Sequence, residues 1–225
     1  MTTVKLSQMV TPDQHFHPTK EHTMQRIEFI GVRGGHGTTT VALAAAATLA
    51  ARGPTLISAH DRPALCAHVG FAADGLPMPL TDNLELAADD EPGDVIDAGT
   101  LQSYLDEIPF EGEAPIGAQK AAGCLRIGVL RGPDYLGVRT LCDHADADLD
   151  GLVVIGEPGR ALDARDVEHV SGRTVLAVVD HTPVVARTVD AGLFMHRVHR
   201  LREFAQLRAW VTQIVAVQTS CTAPA

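Results

Sequence analysis

Hydrophobic and polar positions follow a repeating order from residue 26 onward: a short apolar run, a turn, and then a stretch with helical spacing. The apolar runs predict strands at 27–32, 55–58, 94–97, 125–130, 152–155 and 174–179. The other periodic stretches predict helices at 39–52, 62–69, 101–108, 134–144, 161–170, 183–191 and 201–217. Strands that alternate with helices are typical of a sheet covered on both faces, so the pattern predicts a three-layer α/β fold with a mostly parallel sheet.

The remaining segments divide the chain into one domain and two tails. Residues 72–93 are rich in Asp, Gly and Pro, so they predict mostly loop, as do residues 109–122. Residues 1–25 are polar and predict a flexible N-terminal tail. Residues 26–217 then form a single α/β domain, and residues 218–225 form a C-terminal tail.

Composition narrows the classes of function. Of the 225 residues, 45% are hydrophobic but only 4% are aromatic, so Ala, Val and Leu must build the core. The net charge of -10 argues against binding DNA through the overall field of the protein. No Cys pair has the spacing of a zinc knuckle or a redox motif. The sequence contains no run of about 18 apolar residues, so no membrane span is expected, and the N-terminus lacks the apolar core of a signal peptide. These features predict a cytoplasmic protein.

The most informative segment is Arg33-Gly-Gly-His-Gly-Thr-Thr-Thr40, between the first predicted strand and helix. Its glycines let the backbone curl so that successive N–H groups point inward, and the helix that follows directs its positive end to the same place. The strict phosphate-loop pattern requires lysine after the last glycine, whereas here Thr38 follows Gly37. The residues alone therefore leave two alternatives open, a phosphate-binding loop and a glycine-rich turn without a ligand.

This segment resembles the deviant Walker A loop of the ParA/MinD ATPases, Lys-Gly-Gly-x-Gly-Lys-Thr-Thr. It is closer still to the TadZ/CpaE branch, whose members can begin with Arg and lack the loop lysine. The resemblance covers about residues 26–200 and is strongest at the loop. It implies a P-loop NTPase fold of the SIMIBI type, a site for ATP and Mg²⁺, and a homodimer formed around the nucleotide.

The resemblance assigns roles along the loop. Arg33 falls on the signature lysine, which reaches the phosphates of the partner subunit, and a planar guanidinium suits phosphate oxygens. Thr38 falls on the missing lysine and Thr39 on the magnesium-binding hydroxyl. The other nucleotide-binding positions are Gly34, Gly35, His36, Gly37 and Thr40. Because the fixed charge at residue 38 is lost, we expect nucleotide binding with weak or absent hydrolysis.

Two aspartates extend the predicted site. Asp97 ends the apolar run Asp94-Val-Ile-Asp97, which resembles the second magnesium motif of the family. A strand followed by an Asp-containing turn gives the same sequence, but together with the loop the metal role of Asp97 is favoured. Asp61 lies in Ser58-Ala-His-Asp61-Arg-Pro, which is similar to the family's catalytic Asp-x-Asp-Pro element, but Ser58 stands where the first Asp is expected. Asp61 also suits an N-cap for the next helix, and the cap is the favoured interpretation.

Further segments have two interpretations each. His36 could touch a phosphate, but we favour the variable, solvent-facing position of the loop. Arg131 and Arg139 could contact a partner or DNA, but a solvated turn and helix start is favoured. The segment 151–166 resembles a later strand-loop-helix near the nucleotide base. The last helix has one apolar face, which could touch a membrane as in MinD-type proteins, but a core-covering role is favoured. That face comprises Leu201, Phe204, Leu207, Val211, Ile214 and Val215.

The sequence therefore supports a leading hypothesis and two rivals. The first is an ATP- and Mg²⁺-binding dimer that positions or assembles a larger complex, with protein partners from a positioning, pilus or secretion, or partition system. The second is a pseudo-ATPase that acts only through protein contacts. The third is an active partition-type ATPase that binds DNA, which the acidic charge disfavours.

Overall fold

The computed structural model describes residues 26–71, 77–88, 91–106, 123–132 and 134–221. Its strands are β1 (Arg26–Gly31), β2 (Thr55–Ala59), β3 (Met78–Thr81), β4 (Leu84–Leu86), β5 (Val95–Thr100), β6 (Cys124–Arg131), β7 (Gly151–Gly156) and β8 (Val175–Asp180). Its helices are α1 (Thr38–Ala50), α2 (Arg62–Val69), α3 (Leu101–Asp106), α4 (Tyr135–Asp143), α5 (Ala164–Ser171), α6 (Pro183–Asp190), α7 (Phe194–Arg197) and α8 (Ala205–Cys221). Two 3-10 turns lie before α8, at Val198–Arg200 and Arg202–Phe204. In this part of the chain, no helix has both the length and the apolar character that crossing a membrane requires.

All eight strands form one sheet in the order β3-β4-β2-β5-β1-β6-β7-β8. Neighbouring strands are parallel except β3 and β4, which are antiparallel. β1 lies in the middle, between β5 and β6. The chain crosses from β1 through α1 to β2 on one side, while β6 lies on the other side. Open α/β sheets bind ligands at the carboxyl ends of strands where the order reverses in this way, so this edge of the sheet is where a site is expected.

Helices cover both faces of the sheet, which confirms the predicted three-layer α/β architecture. On one face the Ala-rich helix α1 packs closely, because Ala42, Ala44, Ala45 and Ala46 are fully buried and need little space. The same apolar cluster includes buried residues of α2 and of α6 to α8. On the other face α4 and α5 bury Val138, Leu141 and Val167 against β6 and β7. The short side chains of α1 thus allow close packing in a protein that has few aromatic residues.

The interpretation of residues 72–93 as mostly loop missed a short hairpin. β3 and β4 form a hairpin in which Thr81 pairs with Leu84 around a two-residue turn. Leu80, Leu84 and Leu86 alternate with polar or half-buried positions and are buried at the edge of the core. The strands are so short that their period-two pattern could not be distinguished among the surrounding Asp, Gly and Pro residues. The hairpin extends the sheet beyond β2.

The last helix covers the core, as favoured from the sequence. Phe204, Leu207 and Val211 are fully buried, and α8 packs against α1 and β8. The apolar face on which membrane contact would depend is therefore occupied by the protein itself. α8 continues to Cys221, beyond the predicted end at residue 217, and α7 was not predicted. The predicted tail at 1–25, residues 222–225 of the predicted C-terminal tail and the predicted loop at 109–122 lie outside the described residues.

Candidate functional site

The turn between β1 and α1 is built for close approach of a ligand to the backbone. Gly35 and Gly37 have φ angles of 77° and 79°, a left-handed conformation that other residues adopt only with strain. Gly37 is the N-cap of α1, and no side chain of the described residues caps this helix. The first intrahelical bond is donated by Val41 to the Gly37 carbonyl at 3.0 Å, so the N–H groups of the first turn have no partner within the helix.

Four other helices in the described part of the chain have a different N-terminus. α2, α4, α5 and α6 are each capped by a side chain, from Asp61, Asp134, Asp163 and Thr182 respectively. In a capped helix, a side-chain oxygen already accepts hydrogen bonds from the first N–H groups, whereas those N–H groups of α1 can still bind an anion. α1 also begins at the carboxyl edge of the sheet, beside the central strand. Its geometry is therefore that of an anion-binding loop.

Thr39 and Asp97 meet across this edge, as a shared magnesium site requires. The Thr39 hydroxyl donates a hydrogen bond of 2.6 Å to Asp97 Oδ2. Asp97 lies on β5 beside Phe29 of β1, and it is only 3% exposed. Burial raises the pKa of Asp97, and the hydrogen bond from Thr39 opposes this shift. A neighbouring hydroxyl and carboxylate are the hard oxygen donors that Mg²⁺ prefers.

The Thr39 and Asp97 side chains that meet at this edge offer oxygen donors to a metal. Among the described residues, no group of three or more His, Cys, Asp or Glu side chains could hold a metal ion. Mg²⁺ does not need such a group, because it commonly keeps several waters and is completed by substrate phosphates. The residues present therefore fit Mg²⁺ bound together with a phosphate ligand.

Asp61 and Ser58 have structural partners. Asp61 Oδ1 accepts a hydrogen bond of 2.9 Å from the Ala64 N–H, which confirms the predicted N-cap of α2. Ser58 Oγ accepts a hydrogen bond of 3.1 Å from the Gly93 N–H. Asp61 is nevertheless close enough to raise the pKa of Asp97 through its charge, as a minor cause after burial. Its catalytic role stays a prediction.

The side chains of the loop differ in what they can offer a ligand. Thr38 is 9% exposed, and its hydroxyl lies against the backbone at Gly31, where only the absence of a side chain leaves room. The Thr40 hydroxyl lies 3.2 Å from His68 Nε2 of α2. Arg33 is different, because its side chain is 43% exposed and lies 3.8 Å from Asp134 in an ion pair. Arg33 is therefore the charged side chain of the loop that is exposed to solvent.

The favoured interpretation of His36 as solvent-facing is wrong. His36 is only 7% exposed, and its Nδ1 lies 3.4 Å from the Val129 carbonyl oxygen of β6. Burial lowers the pKa of His36, and the hydrogen bond to Val129 opposes that shift. The loop folds back over the end of β6, so its middle position turns inward rather than into solvent.

A cluster of charged residues at the ends of β6, β7 and β8 was not predicted. Arg131 Nε donates to Glu157 Oε1 at 2.8 Å, and Arg160 Nε donates to the other oxygen of Glu157 at 2.9 Å. His181 Nε2 lies 3.1 Å from Arg131 Nη2. The hydrogen bonds from Arg160 and Arg131 lower the pKa of Glu157. Arg131 is therefore paired within the protein, although its side chain remains 37% exposed to solvent. Arg139 is exposed and pairs with Asp143 of its own helix at 3.4 Å.

A cavity of about 150 Å³ connects this cluster with the loop. Gly37 and Thr40 line it from the loop side, while Arg131, Ile155 and His181 line it from the strand ends. The sequence did contain one clue to this cluster. Each of its residues comes after a predicted strand, and the carboxyl ends of parallel strands meet at the same edge of the sheet.

Fold and site together define the structural class. No family model matches the sequence, and no curated protein shows significant sequence similarity to it. The chain has the three-layer α/β fold of the ParA/MinD P-loop ATPases. The septum site-determining protein MinD of Pyrococcus horikoshii, solved with Mg-ADP, is similar over 89% of this chain and 99% of its own, with a TM-score of 0.60 and 15% identity.

Two further structures show the same similarity. A ParA family ATPase from Chlorobium tepidum matches 84% of this chain and 99% of its own, with a TM-score of 0.60 and 12% identity. The MinC:MinD complex of Aquifex aeolicus contains a chain that matches 85% of this one over 96% of its own length, with a TM-score of 0.61 and 12% identity. At these identities the similarity shows the fold.

Proposed function

We propose that this protein binds ATP together with Mg²⁺ at residues 33–40 and dimerises around the nucleotide. The observation that carries the proposal is the uncapped N-terminus of α1 beside the Thr39–Asp97 pair at 2.6 Å. Backbone N–H groups of the loop bind the phosphates, and Thr39 and Asp97 hold the metal and its waters. Mg-ADP in the similar P. horikoshii MinD supports this ligand class.

Hydrolysis is weak or absent in this proposal. An ammonium at position 38 would stabilise the charge that develops on the transferred phosphoryl group, whereas the Thr38 hydroxyl is short, uncharged and turned toward Gly31. Asp61, the candidate for a catalytic role, is engaged as the cap of α2. Binding depends mostly on the backbone and the metal, so it survives the loss of the lysine better than catalysis does.

The bound dimer serves to position or assemble a larger complex in the cytoplasm. Arg33 is exposed at the rim of the loop, where a guanidinium can reach the phosphates of a partner subunit. The similar MinD chain of A. aeolicus was solved in a complex with MinC, which supports a protein partner. DNA is not a proposed partner, because the net charge of -10 opposes it. The assignment to the TadZ/CpaE branch depends on the Arg33 and Thr38 positions of the loop.

The matched pair Thr39→Ala and Thr48→Ala tests the metal site. Both residues lie on α1, but the Thr48 hydroxyl donates to the Ala44 carbonyl at 2.7 Å within the helix, away from the loop. With Mg²⁺ present, we expect Thr39→Ala to weaken binding of a non-hydrolysable ATP analogue at least tenfold in calorimetry, and Thr48→Ala to leave it unchanged. Equal effects of the two substitutions would remove the proposed role of Thr39.

Dimer formation is tested separately by light scattering after size exclusion. The analogue with Mg²⁺ should convert the wild-type protein to a dimer, and Arg33→Ala should bind the analogue but remain a monomer. A dimer of Arg33→Ala that is as stable as the wild-type dimer would contradict the role of Arg33.

The second candidate function is a pseudo-ATPase that acts through protein contacts alone. The observation in its favour is the burial of Thr38 against the loop backbone, which leaves no charged side chain at the position of the lysine. No binding by the wild-type protein at millimolar nucleotide, with or without Mg²⁺, would favour this function over the first.

A further inference from the structure

We propose that Arg131 supplies the positive charge to the phosphates that the loop lost at position 38. The inference rests on the proposed nucleotide site and identifies a phosphate-binding residue outside the loop. It makes a testable distinction between the two arginines beside the loop: Arg33 is the residue for the partner subunit, and Arg131 is the residue for the nucleotide bound in its own subunit.

The first support is the position of Arg131 at the end of β6. The Val129 carbonyl oxygen, two residues earlier, accepts a hydrogen bond of 2.9 Å from the Val32 N–H and lies 3.4 Å from His36 Nδ1. The end of β6 therefore lies directly beneath the loop. Burial is the main cause of the lowered pKa of His36, and the charge of Arg131 is the smallest of the contributions, which agrees with its position near the loop.

The second support is the shared cavity. Arg131 lines the same space of about 150 Å³ as Gly37 and Thr40, which form the end of the loop and the first turn of α1. The cavity thus brings a guanidinium and the positive end of an uncapped helix to one space, which Asp180 and Asp190 also line. The guanidinium and the helix end both favour a negative charge there, and a planar guanidinium can bind two phosphate oxygens at once.

The third support is that Glu157 does not depend on Arg131 alone. Arg160 donates to Glu157 Oε2 from Nε at 2.9 Å and also from Nη2 at 2.5 Å, while Arg131 binds the other oxygen, Oε1, at 2.8 Å. If Arg131 turned toward a phosphate, Arg160 would still neutralise the carboxylate. The exchange therefore leaves no charge without a partner, and Glu157 holds Arg131 in place until a phosphate competes for it.

The experiment compares three substitutions by calorimetry with ADP and a non-hydrolysable ATP analogue in the presence of Mg²⁺. Arg131→Gln should weaken binding at least tenfold. Glu157→Gln should leave binding unchanged or tighten it, because it releases Arg131. Arg139→Gln is the control for net charge, since this exposed arginine pairs with Asp143 of its own helix, and it should leave binding unchanged.

The opposite effects of Arg131→Gln and Glu157→Gln separate a phosphate contact from a structural ion pair. If the pair only stabilised the site, breaking it from either side would weaken binding to a similar extent, and that result would overturn the inference. Unchanged binding by Arg131→Gln would overturn it as well, and so would equal losses in Arg131→Gln and Arg139→Gln. No binding by the wild-type protein would overturn the proposed function itself, so the two failures are distinguishable. Thermal unfolding of each variant establishes that it is folded.

Discussion

The glycines of the loop give a graded prediction, because the structure assigns each a different constraint. Gly34 does not have a positive φ, and a Cβ there would meet nothing within 4 Å. Gly35 has a φ of 77° but equally open surroundings. Gly37 has a φ of 79°, and a Cβ there would lie 2.8 Å from Ile155 Cδ1. Alanine is therefore expected to cause no strain at Gly34, backbone strain at Gly35, and both backbone strain and a steric clash at Gly37.

The expected losses of unfolding free energy follow from these constraints. Gly34→Ala should change stability by no more than about 0.5 kcal/mol, as is usual at exposed positions. Gly35→Ala should cost about 1–2 kcal/mol, the cost of a left-handed conformation for a residue with a Cβ. Gly37→Ala should cost about 1 kcal/mol more than Gly35→Ala, at the low end for overpacking, because Cδ1 is the end of the Ile155 side chain and can move.

Urea unfolding followed by circular dichroism, without nucleotide, measures these differences. The substitution Ile155→Val tests the source of the extra cost, since it removes Cδ1. Alone it should cost about 0.5–1.5 kcal/mol, but in the Gly37→Ala background it should cost about 1 kcal/mol less because the clash is relieved. Equal stabilities of the three alanine variants would refute the described loop conformation, and additive effects of Gly37→Ala and Ile155→Val would refute the contact with β7.

Further predictions concern the charge, the catalysis and the core of the protein. Asp97→Asn should stabilise the ligand-free protein at pH 7 in urea unfolding, and it should remove the magnesium-dependent part of nucleotide affinity. The pKa of Asp97 in the folded protein is raised above 3.8, so the unfolding free energy falls as the pH rises from 3.8 through that raised pKa, and asparagine avoids this loss. Unchanged or lower stability of this variant would contradict the cost of burying the charge. For His36, whose pKa is lowered from 6.5, the unfolded state binds the proton more tightly, so unfolding free energy should fall as the pH drops below about 6.5; His36→Gln should flatten that fall, and an identical pH profile would argue against burial of the ring. Thr38→Lys should raise ATP hydrolysis in a phosphate-release assay, and no increase would show that more than the lysine is missing. Leu207→Ala should cost about 2–5 kcal/mol because the side chain is fully buried, whereas the exposed Arg202→Ala should stay within about 0.5 kcal/mol; similar effects would contradict the core role of α8.

Local physical chemistry made part of this molecule predictable from its sequence. The alternation of apolar runs with helical periods required strands and helices near their observed bounds, because the two periods of side-chain direction differ. The Pro after Arg62 and the Asp before it marked the start and cap of α2. The loop from Arg33 to Thr40 could be located because its glycines stand between a predicted strand and a predicted helix, although the residues alone left its ligand open. The prediction that Asp97 accompanies Thr39 came from a resemblance of motifs, and the structure brings the two residues together.

The tertiary structure decided what depends on contacts between distant segments. A short alternating pattern at 78–86 became a hairpin only because β2 offered an edge to which β4 could pair. The spacing of His36 in the loop did not reveal its burial, which follows from how the loop folds over β6. Arg131 and Glu157 are joined because β6 and β7 are neighbours in the sheet, and strand order is not encoded in the periodicity of either strand. The sequence alone therefore determined most of the elements and the glycine-rich turn between β1 and α1, whereas the sheet decided which charges surround that turn, because hydrogen bonds between strands connect residues that no local pattern relates.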